Sequence, residues 1–289
     1  DKELALQLER QGFVKILDKK GRDITRFEAS DEVLRQHAEL VTIDVSEIVY
    51  RESNGGLSLY SRDNICQFGN TLYVKHSLYD RNHADKKIRE DFEEVIRGAG
   101  FKGKIKSHSI FSEGGLFVVG EKFCLASDGL LLHFYKSPIM RSVFGQLLRV
   151  ATKKPTYLAS GSNHGDGHID LSNCVIDEAR LIYSEESSLE KVAVKYGYTV
   201  KKMFPIHGND RSYFDFNMFT ERGVRFTCWD MHGTNMLTLD HKIITSDLHE
   251  VEKHFLNERG IEVITCPYTP GSSSAGAGLR CRYGEFYTN

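Results

Sequence analysis

The feature that most constrains the fold is a supersecondary unit that recurs along the chain. TLYVKHS (residues 71–77) has the composition of a strand, and RNHADKKIREDFEEVIRGAGF (81–101) has the apolar spacing of a helix closed by glycine. NMLTLDHKIITS (235–246) and DLHEVEKHFLNERGIEV (247–263) repeat the strand, the helix and the glycine-stopped turn 164 residues later. Two copies of one unit predict an internally repeated architecture.

The segments between these copies fit weaker versions of the same unit. LFVVGEKFCLASD (116–128) predicts a hairpin that turns at Gly120-Glu121, and SVFGQLLRVATKK (142–154) predicts the helix after it. CVIDEARLIYS (174–184) and SSLEKVAVKYGY (187–198) repeat this order. Paired strands that alternate with single helices predict an α/β protein of strand-strand-helix-strand modules. Residues 3–12 and 29–40 have helical spacing, so we expect residues 1–40 to form an N-terminal helical extension.

Composition excludes several classes of partner. The 289 residues carry 38 Lys+Arg against 40 Asp+Glu, which gives a formal net charge of −2. That balance argues against a nucleic-acid coat and against electrostatic binding to a membrane surface. No apolar run approaches the roughly 18 residues that a membrane-spanning helix needs. We therefore expect neither nucleic acid nor membrane as a partner, and homo-oligomerisation stays open.

The cysteines indicate a reducing compartment. They show neither a CxxC pair nor tight spacing, so a zinc ribbon or a disulfide scaffold is not expected. A cytoplasmic location follows, and each cysteine is then either a buried small hydrophobic residue or a reactive thiol. The six are Cys66, Cys124, Cys174, Cys228, Cys266 and Cys281.

Four short segments carry the residue types that chemistry needs. Considered alone, the segment 61–64 suits a surface turn, and the segment 112–115 suits a bulge at a strand edge. The segment 164–170 suits a polar loop, a metal site of imidazole and carboxylate ligands, or a general base that a carboxylate orients. The segment 274–282 places an arginine on each side of a thiol, and nearby positive charge favours the thiolate. The segments are Ser61-Arg62-Asp63-Asn64, Ser112-Glu113-Gly114-Gly115, His164-Gly165-Asp166-Gly167-His168-Ile169-Asp170 and Ser274-Ala275-Gly276-Ala277-Gly278-Leu279-Arg280-Cys281-Arg282.

The spacing of four residues places them at one point of a repeated module. Glu113 follows Asp63 by 50 residues, His168 follows Glu113 by 55, and Cys281 follows His168 by 113. The last interval is two steps of about 56 residues. Strand ends that repeat about an axis meet at one place, so we expect two acids, a histidine and a cysteine to share one pocket.

SRDN, SEGG, GHID and GLRC, in this order, resemble the motifs of the guanidine-modifying (pentein) superfamily. The superfamily contains arginine deiminases, dimethylargininases and amidinotransferases, and the chain is most similar to its agmatine deiminase and bacterial protein-arginine deiminase branch. The sequence departs from these patterns at Leu116, where arginine deiminases have Asp, and at Arg280, where agmatine deiminases have His. The resemblance implies a pseudo-fivefold α/β propeller, one catalytic domain over residues 41–289.

The resemblance also implies a reaction, which is hydrolysis of a guanidino group through a covalent thiouronium intermediate. Ammonia or an amine leaves, and a ureido product remains. Cys281 is implied as the nucleophile, His168 as the acid and base, and Glu113 as the group that orients His168 or holds the remaining nitrogens. No metal or other cofactor is implied. The implied residues around a small-molecule or peptidyl guanidino substrate are Asp63, Asp170, Asn64 and Arg62.

Three alternatives stay open. An amidinotransferase would use the same intermediate and pass the amidino group to an amine. A metal-dependent hydrolase would use His164, Asp166, His168 and Asp170, although alternate residues of an extended strand face opposite sides. A binding protein would keep the modules without the chemistry. The substrate also stays open among arginine, agmatine, methylarginines and peptidyl arginine.

Overall fold

The computed structural model describes short strands and helices over most of the chain. The described residues are 14–17, 23–26, 33–40, 61–82, 84–108, 110–129, 138–159, 168–184, 186–203, 218–219, 225–226, 235–245, 248–265 and 279–288. In chain order the elements are β1 (Val14–Leu17), β2 (Asp23–Arg26), β3 (Ile65–Phe68), β4 (Thr71–Val74), α1 (His76–Tyr79), α2 (Lys86–Gly98), β5 (Lys104–Ser107), β6 (Phe117–Val119), β7 (Cys124–Ser127), α3 (Pro138–Thr152), β8 (Thr156–Ala159), β9 (Asn173–Ile176), β10 (Leu181–Ser184), α4 (Glu190–Tyr196), β11 (Thr199–Lys201), β12 (Met218–Phe219), β13 (Arg225–Phe226), β14 (Leu237–Leu239), β15 (Lys242–Thr245), α5 (Glu250–Asn257), β16 (Glu262–Thr265) and α6 (Leu279–Arg282).

Four modules share one topology. Each has an antiparallel strand pair, a helix, and a third strand that runs parallel to the second. The helix is the crossover that a parallel connection requires. Module 1 is β3-β4-α2-β5, module 2 is β6-β7-α3-β8, module 3 is β9-β10-α4-β11, and module 4 is β14-β15-α5-β16. The predicted α/β class and strand-strand-helix-strand unit are confirmed in these four, whereas the closed fivefold propeller stays a prediction.

Local sequence explains how the modules turn. Gly100, Gly197 and Gly260 follow the helices of modules 1, 3 and 4 and have φ of 92°, 76° and 73°. This left-handed conformation favours glycine at the end of a helix. Module 2 has Lys153 in the corresponding place, with φ of 56°. The sequence analysis treated residues 235–246 as one strand, but the structure divides them into β14 and β15 at a turn with positive φ that begins at Asp240.

Buried apolar side chains join neighbouring modules. Phe68 of module 1 contacts Phe117 of module 2 with ring centroids 5.1 Å apart at 85°. Phe123 of module 2 packs in one cluster with Val175 and Ile182 of module 3. Module 1 also closes its own core, in which α2 buries Phe92 and Ile96 against β4. Burial of aromatic and aliphatic side chains of this size stabilises the fold by about 1.5–3 kcal/mol each.

The chain forms two compact units. One comprises Asp1–Leu40 and Phe204–Leu279 and contains module 4. The other comprises Val41–Met203 and Arg280–Asn289 and contains modules 1 to 3. The predicted single catalytic domain over residues 41–289 stays a prediction. None of the helices in the described ranges is long and apolar enough to cross a membrane.

The N-terminal region differs from its sequence-based prediction. Residues 3–12, predicted as a helix, lie outside the described residues, and 33–35 form a helical turn within the predicted helix at 29–40. Between these segments β1 and β2 pair antiparallel, with Val14 opposite Arg26. The purely helical extension is therefore corrected to one that includes a hairpin. β-Branched residues are dense in VKIL and DITR, and this composition favours strands.

Replacing Gly197 by Ala should destabilise the unit of modules 1 to 3 by about 1 kcal/mol, because a Cβ is strained at its positive φ. The matched control is Gly145→Ala within α3, where an added Cβ meets no atom within 4 Å. Alanine should there stabilise the protein by up to about 1 kcal/mol. Urea unfolding measures both changes, and a Gly197→Ala variant as stable as the parent would contradict this account of the helix end.

Candidate active site

Three of the four segments singled out in the sequence lie directly before the first strands of successive modules. A 3-10 turn at Ser61–Asp63 precedes β3, and another at Gly114–Leu116 precedes β6. His168 and Asp170 precede β9. The three segments occupy the same place in modules 1, 2 and 3, which is why their spacing is close to the length of one module. The structure brings them together within one unit.

Two glycines allow this approach. A Cβ built on Gly114 would lie 2.5 Å from the carbonyl oxygen of Arg62, and one built on Gly115 would lie 2.6 Å from Nδ1 of His168. Real Cβ atoms do not come so close to backbone or ring atoms, so any side chain here would push the segments apart. The carbonyl of Gly115 also accepts a hydrogen bond of 2.9 Å from the amide of Ile169. The double glycine therefore joins the second and third segments.

His168 lies between two carboxylates. Its Nε2 is 3.3 Å from Oε1 of Glu113, and its Nδ1 is 3.9 Å from Oδ1 of Asp63. The side chain of Asp63 is 7% exposed and that of His168 is 15% exposed, so bulk water has little access to either. A histidine held in this way can gain or lose a proton at a fixed position, as a general acid and base must.

Lys75 is a fourth charged group of this site, and the sequence analysis missed it. Its Nζ lies 3.4 Å from Oε2 of Glu113, and its backbone amide donates to the carbonyl of Asn64 at 3.0 Å. Burial opposes the ionisation of Glu113, but the hydrogen bond from His168 and the charge of Lys75 outweigh burial and lower the pKa of Glu113. No local pattern in TLYVKHS marks Lys75, because a lysine directly after a strand resembles any solvent-exposed residue.

Asp170 and Arg62 form an internal ion pair. Nε of Arg62 donates to Oδ2 of Asp170 at 3.2 Å, and Nη2 donates to the carbonyl of Phe117 at 3.1 Å. The side chain of Asp170 is 0% exposed. Burial raises its pKa, and the guanidinium groups of Arg62 and Arg280 offset only part of that increase. A substrate guanidinium would have to compete with Arg62 for Asp170, whose role in substrate binding stays a prediction.

Arg280 is neutralised by a nearby acid. Its Nε lies 3.2 Å from Oε1 of Glu285, and the same oxygen lies 3.8 Å from Nη1 of Arg62. The side chain of Arg280 is 5% exposed. From the sequence alone, Arg280 is expected to be one source of a positive field that favours the thiolate of Cys281. This ion pair reduces that contribution, because Glu285 cancels much of the charge.

The described cysteines are buried thiols. Cys66, Cys124 and Cys174 are all buried and unpaired. Burial raises the pKa of Cys66 to about 12 and that of Cys174 to about 12, and it raises the pKa of Cys124 as well. Such thiols carry almost no thiolate near neutral pH. Cys281 lies in α6, but its side chain is outside the described residues, as are Cys228 and Cys266.

Three residues of this site also have the spacing of metal ligands, and the metal-dependent alternative stays untested. Within the ranges that the structure describes, Asp63, Glu113 and His168 form the cluster with metal-ligand spacing, their ligand atoms lying within 4.8 Å of one another. The shortest contacts of the two carboxylates are with different ring nitrogens of His168. Lys75 already supplies a cation to Glu113. His164 and Asp166, the other ligands of the metal alternative, lie outside the described residues.

Comparison with known proteins gives fold similarity without sequence similarity. Neither a known protein family nor a curated protein matches the sequence. Among solved structures, the amidinotransferase SxtG of Microseira wollei matches 79% of this chain and 67% of its own, with a TM-score of 0.51 and 14% identity. AgrE, solved with ornithine and NAD+, matches 88% of this chain with a TM-score of 0.52 and 13% identity. The chain spans 33% of the length of AgrE.

The chain has an α/β fold that matches solved pentein structures. The resemblance stated from the four motifs is thereby confirmed at the level of the fold. A dimethylarginine dimethylaminohydrolase adduct with 4-chloro-2-hydroxymethylpyridine also matches, over 76% of this chain and 75% of its own at 10% identity, but its TM-score of 0.47 adds no weight.

In the Glu113→Gln variant, the free energy of unfolding should fall less steeply as the pH is lowered than it does in the parent protein. Because the pKa of Glu113 is lower in the folded state, its carboxylate stabilises the fold above the unfolded pKa of about 4.3. That contribution is lost as the pH falls through the folded pKa. Urea unfolding between neutral and acid pH measures the slope. Glu121→Gln, at an exposed residue paired with Arg180, is the matched control and should keep the parental slope. An unchanged slope in Glu113→Gln would contradict the pairing with His168 and Lys75.

Proposed function

We propose that this protein hydrolyses a guanidino group by covalent catalysis at Cys281. The observation that carries the proposal is His168, held between the carboxylates of Glu113 and Asp63 by segments from three modules of a pentein fold. The fold comparison with an amidinotransferase supports chemistry at an amidino carbon. The substrate class is a small-molecule or peptidyl guanidino compound, such as arginine, agmatine or a methylarginine.

The charges of the site suit a guanidinium. Asp63 and Glu113 supply two negative charges, and Lys75, which pairs with Glu113, supplies one positive charge. A planar guanidinium presents pairs of N–H groups that a carboxylate accepts in bidentate fashion. Asp63 is the deeply buried carboxylate of this group that we assign to substrate binding. Asn64 and Arg62 flank it, with Arg62 held in place by Asp170.

The reaction divides into two displacements. The thiolate of Cys281 attacks the central guanidinium carbon, a C–S bond forms, and the tetrahedral adduct collapses as one C–N bond breaks. The nitrogen leaves with the bonding electrons and takes a proton from His168, which is an imidazolium before this step and neutral after it. Neutral His168 then removes a proton from water as the water oxygen bonds to the thiouronium carbon. The C–S bond breaks, the thiolate is regenerated, and a ureido product leaves.

An amidinotransferase is the second candidate. The solved amidinotransferase with this fold favours it, and its chemistry would differ only in the acceptor, an amine instead of water. A purified-protein assay separates the two functions. Ammonia release from arginine or agmatine without added amine supports the hydrolase, whereas product that forms only with an added amine supports the transferase.

Asp63→Asn should lower kcat/KM, because it removes one charge-assisted contact to the guanidinium. The expected loss of transition-state stabilisation is on the order of 2–4 kcal/mol. The amide has nearly the same shape, so the far-UV circular dichroism should stay unchanged. Asp91→Asn is the matched control, because Asp91 is 53% exposed on α2 and pairs with Lys87. Steady-state kinetics with the guanidino compound that the wild-type protein turns over measures the change. Near-normal turnover and affinity in Asp63→Asn would remove Asp63 from the site.

Cys281→Ser should lower the rate at least about a thousandfold, or roughly 4 kcal/mol in the barrier, because a hydroxyl without a base is a poor nucleophile. Intact-mass and peptide mass spectrometry of protein quenched during turnover should find an amidino-type adduct on the peptide with Cys281. Cys174→Ser, at a buried thiol, is the control that should keep the adduct. An active Cys281→Ser protein, or an adduct on another cysteine, would falsify the mechanism.

A further inference from the structure

The segment Tyr283–Thr288, which we call the clasp, folds onto module 1. Both polar atoms of the Gln67 side chain, on β3, form hydrogen bonds with the backbone of Tyr287. Its Oε1 accepts from the Tyr287 amide at 2.5 Å, and its Nε2 donates to the Tyr287 carbonyl at 3.3 Å. The ring of Phe286 contacts that of Phe101, with centroids 6.1 Å apart at 85°. The clasp is therefore held at two consecutive residues.

Glu285 connects the clasp to the candidate active site. Its Oε1 lies 3.2 Å from Nε of Arg280, the residue before Cys281, and 3.8 Å from Nη1 of Arg62, the residue before Asp63. The Glu285 side chain is 15% exposed. With Asp170 on the other side of Arg62, two acids and two guanidinium groups alternate and cancel. One carboxylate thus bridges the neighbours of the proposed nucleophile and of the proposed substrate-binding acid.

We propose that Glu285 is a positioning residue that fixes the Arg280-Cys281 segment relative to Arg62-Asp63. Its effect on catalysis rests on the proposed function, whereas its effect on the order of residues 280–288 does not. Approach of a thiolate to a bound guanidinium carbon needs a defined geometry, and a misplacement of about 1 Å can cost as much as a hundredfold in rate. Both ion pairs of Glu285 act on residues adjacent to the reacting groups, so neither requires Glu285 to contact substrate.

Two substitutions separate the charge of Glu285 from its volume. Glu285→Gln keeps the size of the side chain and removes its charge, so a role in packing alone predicts no effect. Glu285→Asp keeps the charge on a shorter side chain, so a role in ion pairing predicts partial recovery. Glu121→Gln, an exposed acid in the same unit, is the matched control. Gln67→Ala loosens the clasp without changing any charge. It tests the proposal if Glu285→Gln does not fold.

The experiment uses the full chain and two independent measurements. Hydrogen exchange of peptides that cover residues 280–288 should be at least about tenfold faster in Glu285→Gln and Gln67→Ala than in wild-type protein. Release of ammonia from arginine or agmatine, and of ammonia or a methylamine from methylarginine, should show kcat at least about tenfold lower in both variants, with KM changed less. Glu285→Asp should lie between Glu285→Gln and wild type in both measurements.

The outcomes are distinguishable. Unchanged exchange at residues 280–288 in both variants overturns the clasp, whatever the activity. Faster exchange with undiminished kcat overturns the positioning role. Failure of wild-type protein to release ammonia or an amine from any of the three compounds contradicts the proposed hydrolase, and exchange then decides the clasp by itself. Faster exchange, a lower kcat with KM largely kept, and partial recovery in Glu285→Asp together support the proposal.

Discussion

The contact between Gly115 and the imidazole of His168 is the constraint on which the candidate site depends. The backbone of the second module comes so close to this ring that a Cβ would overlap Nδ1. The same short segment presents Glu113 to Nε2, so one stretch of backbone both limits the position of His168 and supplies its hydrogen-bond partner. Gly115 does not have the positive φ of the glycines at the helix ends. It is needed because it has no side chain, which leaves room for the imidazole of His168.

Charge balance divides the site into two layers. The inner layer, which consists of Arg62, Asp170, Arg280 and Glu285, is internally neutral and almost closed to water. Removing one member of such a group leaves a charge uncompensated in a medium of low dielectric constant, and this commonly costs several kcal/mol. The outer layer consists of Asp63, Glu113, His168 and Lys75, in which Lys75 lies against the carboxylate of Glu113.

The sequence predicted the module well, because strand composition, helical spacing and glycine at the helix ends are local signals. It also predicted that Asp63, Glu113 and His168 would meet, because they precede corresponding strands and one module length separates them. It did not reveal that Lys75 pairs with Glu113 or that Glu285 lies between two arginines. Long-range ion pairs leave no periodic trace, and a lysine after a strand resembles any solvent-exposed residue. The hairpin of β1 and β2 was missed because neighbouring helical spacing dominated that region.

The modules and the site differ in the range of their contacts along the chain. Each three-stranded sheet closes within one module, whereas the bond from Arg62 to Asp170 joins residues 108 positions apart and the bond from His168 to Glu113 joins residues 55 apart. Contacts between distant residues form late in folding, since the entropy of closing the intervening loop opposes them until other structure has formed. We therefore expect the sheets to form before the charged groups of the candidate site converge. Contacts between modules would then complete the geometry of the site, which partially folded chains would lack.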